Sequence, residues 1–140
     1  MECSRIVGID YGHKRVGLAV ADPLRIFARP IGTFSLDESL VRLLALHDEE
    51  GIDVVVIGWP LLPSGDEGKA TEWVQQFINR LKKALPGVEL VKWDERYSSE
   101  RAKTAILAAG VKRKGRRKKG RVDAVAASII LQEYIDESGR

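Results

Sequence analysis

The chain has 140 residues, 44% apolar and 31% charged, proportions that suit one folded domain spanning 1–140 and exclude general disorder. Its single cysteine, Cys3, cannot close an internal disulfide, no apolar run approaches the ~20 residues of a membrane span, and no signal-peptide pattern precedes the first strand. A reducing, cytoplasmic setting without a membrane partner is therefore expected.

The apolar run Ile6-Val7-Gly8-Ile9 leads into Asp10, Tyr11 and Gly12. It reads as a strand buried on both faces, with a carboxylate where the strand leaves the core. A charge there needs a partner, because an isolated buried carboxylate is costly. Asp10 either caps the turn that follows or belongs to a metal or phosphate site. Lys14 to Ala21 comes next as a central strand, across a hairpin at Gly12, and Asp22-Pro23 ends it. Ile26 to Phe34 forms a third strand that Pro30 and Gly32 assign to an edge.

Leu36, Leu40, Leu43, Leu44 and His47 share a helical stripe that Gly51 closes. Asp53 to Gly58 is a β-branched run typical of a buried parallel strand, and Trp59 to Gly65 reads as a loop. Ala70, Trp73, Val74, Phe77, Ile78, Leu81 and Leu85 mark a second helix, ended by Pro86-Gly87. Val88 to Trp93 is the next strand and runs out at Asp94-Glu95-Arg96. Ser98 or Ser99 caps a short helix through Ala102, Ala105, Ile106 and Ala109, with Gly110 as its stop. A last helix runs from about Arg121 to Ile135. Three antiparallel strands followed by alternating helices and parallel strands predict an α/β fold, a five-stranded mixed sheet flanked by helices.

Charge is unevenly spread. Lys112, Arg113, Lys114, Arg116, Arg117, Lys118, Lys119 and Arg121 crowd one stretch, and without these eight the net charge of +3 becomes −5. An acidic body with one concentrated basic segment points to a polyanion partner; the bland alternative is a solvated loop.

Three acids stand out. In the last helix Asp123, Ala126, Ala127, Ile130, Leu131 and Tyr134 follow a single helical stripe, so Asp123 lies on the face turned to the sheet. Strand alternation leaves open whether Asp94 or Glu95 points into the cleft at the end of its parallel strand, the edge where ligands collect in open α/β sheets. Asp10, one of these two, and Asp123 could meet at one edge. Three close carboxylates repel unless cations lie between them, and oxygen-only donors favour Mg²⁺ or Mn²⁺ over zinc. His13 reads as a solvated loop residue and His47 as the rim of a helix face.

These residues resemble the YqgF/RuvX family, candidate pre-16S rRNA nucleases once called Holliday-junction-resolvase-like proteins. The likeness runs from about Arg5 to Asp136. It rests on Gly8-Ile9-Asp10-Tyr11-Gly12 with Arg15-Val16-Gly17-Leu18-Ala19, Gly58-Trp59-Pro60, Gly65 with Glu67-Gly68, Asp94-Glu95-Arg96-Tyr97-Ser98-Ser99, and Asp123 through Gln132. The resemblance implies a ribonuclease-H-like fold and a catalytic, metal-binding triad of Asp10, Glu95 and Asp123, which breaks the tie at 94/95. Trp59 departs from the small aliphatic residue more often found there, and the basic stretch is unusually rich.

The expected activity is metal-dependent phosphodiester hydrolysis, with two Mg²⁺ or Mn²⁺ ions activating water and stabilising the leaving oxygen. Lys118 and Lys119 are expected to hold a nucleic-acid backbone, with Lys14, Arg15 and Arg96 as further contacts. The implied substrate is structured nucleic acid, pre-rRNA or branched DNA. Non-catalytic nucleic-acid binding and an actin-like ATPase lobe are the competing readings, and the chain is short for the latter. Monomer and homodimer both remain open.

Overall fold

The computed structural model describes residues 4–12, 14–60, 64–94 and 119–138. Strands β1 (Arg5–Tyr11), β2 (Val16–Ala21), β3 (Ala28–Phe34), β4 (Ile52–Trp59) and β5 (Glu89–Asp94) form one sheet in the order β3-β2-β1-β4-β5. The first three pair antiparallel, while β4 and β5 continue in parallel on the other side of β1. Helices α1 (Leu36–Glu50) and α2 (Lys69–Ala84) cover one face, and α3 (Lys119–Ser138) covers the other. The mixed sheet, the interior β2 and the edge position of β3 follow the order predicted from the chain.

Apolar residues on both sides of β1 and β4 explain the two layers. Val7, Ile9, Val55 and Ile57 join Leu43, Phe77, Ile78 and Leu81 beneath α1 and α2. Ile6, Val54 and Val56 join Ala127, Ile130, Leu131 and Ile135 beneath α3. Full burial of each large apolar side chain contributes roughly 1.5–3 kcal/mol.

Local signals set the helix ends. The Ser35 hydroxyl accepts from the Glu38 N–H at 3.1 Å, and the Glu38 carboxylate accepts from the Ser35 N–H at 3.1 Å, a reciprocal cap. Gly51, at φ +84°, ends α1, and its N–H donates to the His47 carbonyl. His47 does more than rim a helix face. Its Nδ1 accepts from the Ile52 N–H at 2.9 Å and so ties the end of α1 to the start of β4.

Several expectations shift by a few residues. Leu44 is 44% exposed and Ser39 is buried in its stead, because the Ser39 hydroxyl donates to the Leu36 carbonyl at 2.7 Å and needs no outside partner. Trp73 is half out of the core, while Thr71 is buried with its hydroxyl on the Gly68 carbonyl. Trp59, expected in a loop, is the last residue of β4 and buried, with the Lys92 ammonium 4.0 Å from its ring centroid. Helix α3 extends to Ser138, past the expected stop at Ile135. His13, the expected helix at 98–110 and the basic residues 112–118 lie outside the described residues.

The turn from β2 to β3 is tightly organised. The Asp22 carboxylate accepts from the N–H groups of Leu24, Ile26 and Phe27 at 3.0, 2.8 and 2.6 Å. The Phe27 N–H above all, with the other amides, holds its pKa below the usual carboxylate range against partial desolvation. A depressed carboxylate pKa stabilises the fold above the unfolded-state value and loses that contribution as pH falls through the folded value. Asp22→Asn is therefore expected to be less stable than the wild type near neutral pH. The gap should shrink once pH is lowered below about 4, as read by denaturant melts across a pH series.

Candidate active site

Two glycines bring α3 against the sheet. A side-chain carbon on Gly8 would lie 2.7 Å from both the Ala127 carbonyl oxygen and Leu131 Cβ. On Gly17 it would run into the Asp123 carbonyl and lie 2.8 Å from the Ala124 nitrogen. Helix backbone therefore rests directly on strand backbone, which a larger residue at either point forbids. By sequence alone Gly17 is one more member of an apolar strand. The alternation in Val16-Gly17-Leu18-Ala19, small at every second residue, is the available hint of close approach on one face.

This contact places two acids together. Asp10 pairs with Gly17 across β1 and β2. Directly opposed residues of an antiparallel pair project to the same face, as do residues two apart on one strand. Gly8 and Gly17 both face α3, so the Asp10 side chain does too. The Asp123 backbone sits on Gly17, and Asp10 and Asp123 thus occupy one corner where β1 ends and α3 begins. Both residues are half-buried.

Asp94 is elsewhere. It pairs with Trp59 and shares the strand face of Leu90 and Lys92, whereas Val91 and Trp93 pack toward α3. It ends its strand at the same edge of the sheet but on the opposite face from Asp10. Glu95, Arg96 and Lys118 lie outside the described residues, and Lys119 is the first residue of α3. Among the described residues no three Asp, Glu, His or Cys side chains gather closely enough to hold a metal ion.

The surroundings narrow the chemistry. Lys14 and Arg15 are exposed in the β1–β2 turn just beyond Asp10, a turn closed by the Gly12 N–H on the Arg15 carbonyl at 2.7 Å. Tyr11 turns to the other face, its ring 5.2 Å from that of Phe77. Burial pushes its hydroxyl pKa up, with Arg80 pulling in the opposite direction, so it stays protonated near neutral pH and is a poor nucleophile. Two acids at one corner, with Lys14 and Arg15 exposed in the adjoining turn, suit binding of cations and anionic chains. No described helix is long and apolar enough to cross a membrane.

Residues 4–137 match the family model described as RuvX: Holliday junction resolvase. The chain belongs to the RuvX family. A candidate pre-16S rRNA nuclease of Salinibacter ruber is 52% identical over 136 residues, 97% of this chain and 95% of the relative. The corresponding protein of Chlorobaculum tepidum is 46% identical over 133 residues, 94% of this chain and 93% of the relative. Among solved structures, T. thermophilus RuvC in complex with Holliday junction substrate matches with a TM-score of 0.61 at 15% identity, covering 96% of each chain. That likeness extends the RuvX assignment to the architecture: the sheet and its helices are those of the RuvC, ribonuclease-H-like fold.

Gly17→Ala is expected to lower stability by about 1–3 kcal/mol, the usual range for overpacking, since its new carbon meets backbone and not a movable side chain. Chemical denaturation read against Gly87→Ala, where nothing lies within 4 Å but φ is +90°, separates crowding from backbone strain.

Proposed function

We propose that this RuvX-family chain is a divalent-metal-dependent nuclease that hydrolyses phosphodiester bonds in the 5′-end maturation of pre-16S rRNA. The observation that carries this reading is the corner where Asp10 and Asp123 share one face across Gly17. The names of relatives such as those of Salinibacter ruber and Chlorobaculum tepidum support the substrate. Work on pre-rRNA would place the protein in the cytoplasm.

The donor set fits the metal this function needs. Asp10 and Asp123 offer only carboxylate oxygens, the hard ligands that Mg²⁺ and Mn²⁺ prefer, and the fold delivers them from two independent elements. Glu95, which follows Asp94 in the chain, is the third acid we assign. When bound, such ions supply an activated water and charge stabilisation for the leaving oxygen. Asp10 and Asp123 would hold and orient them, and the packing of α3 on Gly8 and Gly17 keeps those carboxylates in fixed relation. Lys14 and Arg15 would hold the backbone of the nucleic acid near the acids, with Arg96, Lys118 and Lys119 extending that grip.

The family model's own description favours a second substrate, branched DNA cut as a resolvase would cut it. A side-by-side assay separates the two. With Mn²⁺ or Mg²⁺ present, the wild type is expected to cleave a structured pre-16S RNA more efficiently than a four-way DNA junction. Asp10→Asn should reduce cleavage at least about 100-fold, equivalent to roughly 2.7 kcal/mol of barrier, with its fold intact. Undiminished cleavage by that variant would remove the acid pair from the mechanism, and preference for the junction would favour the resolvase.

A further inference from the structure

We propose that Trp93 and Glu133 form a positioning clamp that fixes the carboxyl end of β5 relative to the helix carrying Asp123. Trp93 Nε1 donates to Glu133 Oε1 at 2.9 Å. The Trp93 ring also meets Tyr134 edge-on, with centroids 6.1 Å apart and planes at 84°. Glu133 is only 8% exposed. A carboxylate buried to that degree is costly unless it is hydrogen-bonded, and Leu would fill comparable space without the expense. The bond that its Oε1 accepts from Trp93 offsets part of that cost.

The placement gives that bond a role. Among the described strands β5 is the outermost and pairs with β4, so within the described sheet it is braced along one long side. Helix α3 is seated on β1 and β2 through Gly8 and Gly17 and carries Asp123 in its first turns. Trp93 lies one residue from the end of β5 and links the weakly held element to the firmly held one. A hydrogen bond from the N–H of a planar indole fixes direction as well as distance. The clamp thereby fixes the end of β5 at Asp94, the residue before Glu95 in the sequence, and this role rests on the proposed metal-dependent nuclease.

Groups hydrogen-bonded to metal ligands change metal affinity typically by 10–100-fold when removed, and a clamp that fixes the strand end next to a ligand is expected to act at the lower end of that range. A residue that matters only for stability does not change affinity once the protein is folded. Removing both partners together, Trp93→Phe with Glu133→Leu, leaves neither the indole N–H nor the carboxylate of this bond without its mate. Glu133→Gln retains an acceptor oxygen at the same place. The experiment titrates Mn²⁺ into the full chain without nucleic acid, by calorimetry well below the melting temperature, and records a melt of each variant. The double variant should fold yet bind Mn²⁺ at least about tenfold more weakly, while Glu133→Gln stays within about threefold of the wild type. A folded double variant with wild-type affinity overturns the clamp. So does a Glu133→Gln as weak as the double variant, since the charge and not the bond would then matter. A wild type that binds no Mn²⁺ overturns the metal site itself and this role with it, whereas normal binding without any cleavage would count against the nuclease reading alone.

Discussion

Helix α3 lies against the sheet without a layer of side chains between them at two points, Gly8 and Gly17. That backbone contact is the constraint from which the rest of the arrangement follows. It decides how deep the helix sits, which turn of it reaches the end of β1, and therefore which helical residue comes near Asp10. Asp123 reaches that corner because its own carbonyl rests on Gly17. A helix standing off by one methyl group would still bury Ala127, Ile130 and Leu131, but its first turns would no longer be fixed against the strand pair. Tight packing of this kind tolerates little change in volume.

Much of the architecture was legible in the sequence because its signals are local. The apolar runs at 6–9 and 54–57 are short and bounded, and they became β1 and β4, feeding two cores at once. Pro30 marked β3 as an edge. Asp123 was legible as the head of a helical stripe whose members Ala127, Ile130 and Leu131 are buried. What failed were readings that require knowing how a helix is rotated or how far a strand runs. Leu44 belongs to the α1 stripe by spacing alone, and the helix instead turns Ser39 inward, where it satisfies its own hydroxyl. Trp59 looked like loop because prolines follow it, yet pairing with Asp94 carries β4 one residue further.

Neither Gly17 nor Glu133 could be singled out from one sequence. A glycine in an apolar strand has several uses, and only the helix above it reveals which applies. Glu133 sits in the polar, solvated-looking end of α3 as written, and its burial depends on Trp93, forty residues earlier in the chain. The choice between Asp94 and Glu95 was likewise beyond periodicity, since both strand faces are apolar. Pairing of Asp94 with Trp59, on the side of Lys92, separates Asp94 from the corner held by Asp10 and Asp123.

The outer rim formed by β3 has a consequence for the molecule in company. The Ala28 N–H is already given to Gln132 Oε1 at 2.8 Å, and Pro30 has no N–H to give. A neighbouring chain seeking to extend the sheet there finds its template interrupted at both places. Crowded copies of this molecule thus have a built-in obstacle to zipping together into fibres along that side.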